Sequence, residues 1–167
     1  MEFIEGVREK AVTEIRQILS GGCEGREVRV NGAVHTIRSM GEVAFVVLRK
    51  AGGLVQCVYE EGLTNFDIRN LKEESAVEVT GTVKREERAP GGYEIRLKEL
   101  RILSQPAAPL PIAVSKWKLN TSLETKLALR PVSLRNLRER AKFKIQEGIV
   151  RGFRDYLLGQ DLTEIRT

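Results

Sequence analysis

Between Glu27 and Leu103 apolar side chains tend to recur at every second position, whereas on either side they recur every third or fourth. A period of two belongs to a strand with one buried face and a period of 3.6 to a helix. The chain therefore reads as a β unit flanked by helices. Ile4, Val7, Ala11, Ile15 and Ile18 make one apolar stripe over residues 3–19, which Ser20-Gly21-Gly22 ends. Val28, Val30 and Ala33/Val34 then alternate with Arg29 and Asn31, and Val43–Arg49 is a β-branched and apolar run. Leu54–Tyr59 follows the turn pair Gly52-Gly53. After a short helical segment, Leu63–Lys72, come Ala76–Arg85 and, past the turn Gly91-Gly92, Tyr93–Leu103. This pattern predicts a mainly β protein. Its centre is a five-stranded OB-fold Greek-key barrel, with an N-terminal helix before it and a C-terminal hinge plus long helix after it. An SH3-like barrel is the competing architecture, and the connection between the third and fourth strands favours the OB type.

Three prolines in 104–112 stiffen the path and mark a boundary. Beyond it Leu134, Leu137, Ala141, Ile145, Ile149, Phe153 and Leu157 predict a long amphipathic helix, with Ser133 as its N-cap and its end near Gly159. Leu162–Thr167 looks like the beginning of a strand, and the chain reads as a piece of something larger. The expected units are an N-terminal helix over 1–22, the barrel over 23–104, a linker over 105–133, and the helix with its strand start over 134–167. Residues 113–133 are expected to be poorly fixed.

Composition changes this picture little. The 167 residues are 41% hydrophobic and 31% charged, with net charge +5; this mildly basic balance is compatible with a polyanionic partner. No apolar run approaches the roughly 18–20 residues needed to span a bilayer. The N-terminus lacks signal-peptide character, so a cytoplasmic, non-membrane protein is expected. Cys23 and Cys57 are far apart and in no CxxC pair, as expected of reduced thiols. His35 is the only histidine, which leaves almost nothing from which to build a His-based zinc site or a Ser-His-Asp triad. Packing is its expected role.

The candidate chemistry lies in the barrel. A domain that binds an RNA loop needs charge for phosphates, a flat surface for bases and polar groups for base edges. Phe45 is either a core residue, as pattern alone favours, or a stacking platform. Gln56, inside Leu54-Val55-Gln56-Cys57-Val58, is either solvated or a base reader through an amide that both donates and accepts. Arg38 is a surface charge or an RNA contact. Glu94 is a plain strand carboxylate or an acceptor for base amino groups.

The segments Gly32-Ala33-Val34-His35-Thr36-Ile37-Arg38-Ser39-Met40-Gly41, Phe45-Val46-Val47-Leu48-Arg49 and Leu54-Val55-Gln56 resemble the N-terminal anticodon-binding region of class II aspartyl-tRNA synthetases. The wording is similar to the archaeal and eukaryotic type, with asparaginyl-tRNA synthetases a close second. The resemblance continues through Val79–Val83, Gly92–Ile95, the hinge at Pro109-Leu110-Pro111, and Leu123–Arg130. It then takes in Phe143-Lys144-Ile145 and Phe153–Leu157, which are similar to the family's motif 1 helix, and it covers residues 26–167. The match ends within motif 1.

By resemblance, Phe45 is the aromatic on which the central anticodon base, a uridine, stacks, and Gln56 hydrogen-bonds that base. Arg38 contacts the anticodon loop and Glu94 lies near the third anticodon base. Lys84 stands about where some relatives have arginine. Three stretches depart from the family wording: Arg49-Lys50 in place of Arg-Asp, Leu129–Asn136 before the long helix, and Leu162 in place of an aromatic. The resemblance implies a tRNA partner, no catalytic residue and no cofactor in this chain. For a full-length parent it implies an aspartate- or asparagine-tRNA ligase that uses ATP and Mg and forms a homodimer through the motif 1 region. The alternative is a stand-alone, synthetase-derived OB-fold module that binds nucleic acid or acts as a scaffold.

Overall fold

A computed structural model of the chain describes residues 12–165. The period-two region forms five strands: β1 (Glu27–Met40), β2 (Val43–Lys50), β3 (Gly53–Glu60), β4 (Ala76–Arg85) and β5 (Tyr93–Ser104). They close into a barrel in the order β1-β2-β3-β5-β4. Only β3 and β5 run parallel; the other neighbours are antiparallel. This is the OB barrel that the strand pattern favoured over an SH3-like one. The 61–75 connection carries a single 3-10 turn, Ile68–Asn70, where a longer helical segment was expected.

Alternation builds the core. Val28, Val30, Val34, Val46, Leu48, Val55, Val77, Val79, Val83 and Ile95 all point inward and are buried. A short helix, α1 (Ile15–Leu19), adds Ile15 and Ile18 to the same core. Of the helix expected over 3–19, residues 12–14 are not helical, with Glu14 an extended N-cap, and residues up to 11 lie outside the described residues. Gly81 sits where β4 and β5 slip register; a Cβ there would lie 2.2 Å from the Arg96 carbonyl oxygen, so no side chain fits without displacing β5.

The chain divides into two compact units between Ala108 and Pro109. In the second, α2 (Leu123–Ala128) starts at Ser122, whose hydroxyl accepts from the Thr125 amide, and α3 (Arg130–Ser133) follows directly. Part of the stretch read as linker is thus helical. The long helix, α4 (Leu137–Leu158), begins later than Ser133. Ser133 instead donates its hydroxyl to the carbonyls of Lys126 and Arg130. Asn136 is the N-cap: its Oδ1 accepts from the Arg138 and Glu139 amides while its Nδ2 donates to the carbonyls of Val114 and Lys116. One buried amide thereby starts the helix and ties the 114–116 segment to its first turn. α4 buries no residue, and Phe143, Ile145, Ile149, Phe153 and Tyr156 are exposed along it. Residues 162–165 form no strand, since a lone strand has no partner for its ladder. Arg154 donates from Nε and Nη2 to Glu164 Oε1 there.

Candidate nucleic-acid interface

Strand parity decides which residues can meet a ligand. On β2, Ala44, Val46 and Leu48 enter the core, so Phe45, Val47 and Arg49 face outward. On β3, Val55, Cys57 and Tyr59 point in and Gln56 and Val58 point out. On β5, Ile95 and Leu97 point in and Glu94 and Arg96 out; on β4, Val83 points in and Lys84 out. Phe45, Gln56, Glu94 and Lys84 therefore share the outer face, and Phe45 is not the core residue that pattern alone favoured.

Arg38 joins them because of a bulge. Val34 is a core residue, so plain alternation would send Arg38, four positions on, inward as well. The pairing instead slips between Val34 and Thr36: Val34 lies opposite Leu48, but Thr36 lies opposite Val47 and Arg38 opposite Phe45. One extra residue reverses the parity of everything after it. The extra residue, His35, is buried, and its Nδ1 accepts from Arg49 Nη1 at 2.9 Å. An arginine cannot accept, so the imidazole proton sits on Nε2. Arg49 also donates through both Nη atoms to Glu74, at 2.7 and 2.8 Å. Glu74 itself has φ +66°. Burial, and then the Arg49 guanidinium, hold the His35 imidazole below its ordinary value, against the opposing charges of Glu74 and Glu73. This His35–Arg49–Glu74 cluster escapes sequence reasoning, although Ile37 falling out of phase with Val34 signals the bulge. In this chain Arg49, the start of the Arg49-Lys50 departure, is committed to that cluster.

Cross-strand partners on one face are neighbours, with directly opposed Cβ atoms about 4.5–5.5 Å apart and diagonal pairs about 7–8 Å. Arg38 and Phe45 are directly opposed; Phe45 faces Val58, so Gln56 is its diagonal neighbour on β3. Gln56 lies opposite Glu94, and Glu94 opposite Lys84. The five residues thus span all five strands in two adjacent rows. Arg38 and Lys84 are exposed and Phe45 is half-buried.

The centre of the face is a polar network. Gln56 Nε2 donates to Glu94 Oε2 at 3.2 Å. Arg96 Nε donates to Glu94 Oε1 at 3.0 Å, and its Nη1 reaches Glu60 Oε1. Glu94 is 2% exposed, so its carboxylate is occupied within the protein rather than open to solvent. Lys84, whose Cα faces that of Glu94, forms no ion pair with it; Arg96 holds the carboxylate instead. Arg96 and Glu60 went unnoticed in the sequence, although Arg96 stands two residues after Glu94 and so on the same face.

The inward Cys57 thiol is pushed far above its usual range, first by burial and then by the charge of Glu94, which removes it as a nucleophile. Both cysteines are free thiols. Among the described residues no group of three or more His, Cys, Asp or Glu gathers as a metal site, and no helix is long and apolar enough to cross a membrane.

Residues 28–103 match the tRNA anti-codon family model, an OB-fold nucleic acid binding domain. The aspartate–tRNA(Asp/Asn) ligase of Deinococcus radiodurans is 41% identical over 144 residues, which make up 86% of this chain and 32% of the ligase. The enzyme of the same name from Saccharolobus solfataricus is 36% identical over 93% of this chain and 36% of its own length. The crystal structure of asparaginyl-tRNA synthetase from Pyrococcus horikoshii with asparaginyl-adenylate superposes with a TM-score of 0.74 at 29% identity, covering 87% of this chain and 34% of the enzyme. The chain spans about a third of the length of the relatives it matches. Residues 28–103 are an OB-fold domain of the tRNA anticodon-binding family, of the form carried by aspartyl- and asparaginyl-tRNA synthetases.

Proposed function

We propose that the barrel binds a tRNA anticodon loop and reads a uridine at its centre. The observation that carries this reading is the shared outer face: an aromatic ring, an amide and two exposed cations, each from a different strand, meet on one surface. Phe45 gives the ring on which the central base stacks, and the diagonal placement of Gln56 sets its amide at the edge of a base so held. Arg38, directly opposite Phe45, meets the loop from β1, and Lys84 meets its backbone on the other side. Glu94, with both oxygens engaged, acts on the base through Gln56. A direct contact of Glu94 with the third anticodon base would require Arg96 to let go.

The two ligases compared above are named for both tRNA(Asp) and tRNA(Asn), whose anticodons share the central uridine, and a ligand common to both suits a face with one central reader. The ligase reaction itself, with ATP and magnesium, enters this proposal only with the two thirds of the relatives' length that this chain does not span. The exposed apolar residues of α4 support the pairing of two copies through that region in a full-length protein, and a cytoplasmic setting follows from the same reading. The test is equilibrium binding to four anticodon stem-loops that differ only at the middle base. Tightest binding to uridine is expected; equal affinity for all four defeats the proposal.

A further inference from the structure

A glutamine amide is a two-way reader. Its oxygen accepts and its nitrogen donates, and a half-turn about the last side-chain bond exchanges them. Uracil and cytosine differ at the edge such a group would meet: N3 of uracil carries a proton and donates, whereas N3 of cytosine accepts. An amide free to turn suits both bases. Discrimination requires that one end be fixed.

The network on the outer face supplies the fixing. A carboxylate only accepts, so Gln56 must turn its nitrogen toward Glu94, and the 3.2 Å contact is Nε2 to Oε2. Glu94 is in turn held at its other oxygen by Arg96 Nε, and Arg96 is braced at Nη1 by Glu60 at the end of β3. No donor among the described residues reaches Gln56 Oε1, and that atom is absent from the buried side-chain atoms left without a partner, which are Ser75 Oγ and Thr121 Oγ1. Gln56 is only 8% exposed, yet its Oε1 is not sealed in, and it is the unpaired end of the amide on the face that carries Phe45. We infer that Arg96 is a specificity-determining positioning residue: by pinning Glu94 it locks the Gln56 amide with its oxygen outward, so that the platform admits a pyrimidine that donates from N3 and rejects one that accepts there. This deepens the anticodon reading and rests on it.

The orienting role of the clamp is separable from a structural one. Arg96 is itself 42% exposed and packs no core, so its pair with Glu60 adds little to stability, whereas loss of its pair with the buried Glu94 carboxylate also costs stability, which a melting curve on each variant reads apart from the ratio. Its effect is orientational. Arg96→Met keeps the stem and removes the guanidinium, leaving Glu94 free to turn and Gln56 free to flip. Loss of a positive charge weakens binding to every loop alike, so the quantity that reports the clamp is a ratio, the affinity for a uridine-centred stem-loop over that for a cytidine-centred one.

Both stem-loops are titrated against the full chain, as wild type, Arg96→Met and Arg96→Lys, at one salt concentration. The wild type is expected to prefer uridine by at least about tenfold, the size of one mismatched buried hydrogen bond. Arg96→Met should bring the ratio close to one, and Arg96→Lys, which can hold one of the two carboxylates, should recover part of it. In the free protein the two Gln56 side-chain amide protons, resolved by 15N NMR, should exchange with one another faster in Arg96→Met than in wild type. A wild-type preference that survives unchanged in Arg96→Met overturns this inference and leaves the anticodon reading standing. A wild type with no preference overturns both. Unchanged Gln56 amide exchange in Arg96→Met also overturns it, whatever the RNA does.

Discussion

Ala44 and Phe45 are adjacent in sequence and lie on opposite sides of the barrel wall, one in the core and one on the proposed binding face. At this scale the account makes two separable statements. Phe45→Ala should weaken binding of a uridine-centred stem-loop by about 1–3 kcal/mol, the worth of one stacked base. It should leave the thermal midpoint nearly unchanged, because the ring is outside the core. Calorimetric titration and a melting curve on the same variant check both halves, and a large fall in midpoint would place the ring in the core after all. Gly81→Ala should behave in the opposite way. The added methyl meets the Arg96 carbonyl and the Ile95 side chain, and overpacking of this kind costs roughly 1–3 kcal/mol of stability. Denaturant unfolding reads that loss directly. Positions such as Phe45 and Gln56 were legible because alternation fixes their face. Arg96 was not, because its two carboxylate partners include Glu60 on β3, and the parallel β3–β5 contact that brings them together leaves no local trace in sequence.

Among the elements, β1 carries the most consequence. Its 14 residues hold the core with their first half and present Arg38 with their second, and the bulge at His35 is what allows one strand to do both. The period-two pattern predicted the strands, but a bulge adds only one residue and disturbs no composition, so its sole sign was Ile37 falling out of phase with Val34. The start of α4 shows the same limit: Ser133 and Asn136 are both good caps locally, and the choice fell to the one whose amide also reaches the carbonyls of Val114 and Lys116. The bulge cluster has a pH signature. His35 is held below its ordinary value in the folded chain, so as pH falls below about 6.5 the unfolded chain takes up that proton first. The stability involved is fully present above this pH and is lost as pH falls toward the lowered folded value. The urea midpoint of wild type should therefore drop more between pH 7 and pH 5 than that of His35→Gln, in which the carboxylates titrate but this imidazole does not. Equal drops would show that His35 is not held in this way.

On the scale of the whole molecule, charge is unevenly shared. Residues 109–167 hold twelve Lys and Arg against six Asp and Glu, while residues 1–108 hold sixteen against seventeen. The barrel unit thus has almost no net charge, and its proposed face has two cations, Arg38 and Lys84, without an ion-pair partner among the described residues. Each phosphate neutralised on a single strand contributes about −0.7 to the slope of log affinity against log salt. Two such contacts predict a slope near about −1.4, falling toward zero in the Arg38→Ala, Lys84→Ala double variant while the preference for uridine persists. A wild-type slope steeper than about −4 would mean that phosphates are held elsewhere, by cations outside this face. Net charge of +5 hinted at a polyanion but not at this division, which depends on where the unit boundary falls.

The central claim is that Phe45 stacks on the middle base of an anticodon loop, and photocrosslinking tests it most directly. A stem-loop with 5-iodouridine at the middle position is irradiated on the full chain, and the linked peptide is identified by mass spectrometry. The account predicts one dominant crosslink, to Phe45, competed away by the unlabelled uridine loop and not by the cytidine loop. A crosslink at Trp117 or at any other aromatic residue, or none at saturating protein, contradicts it.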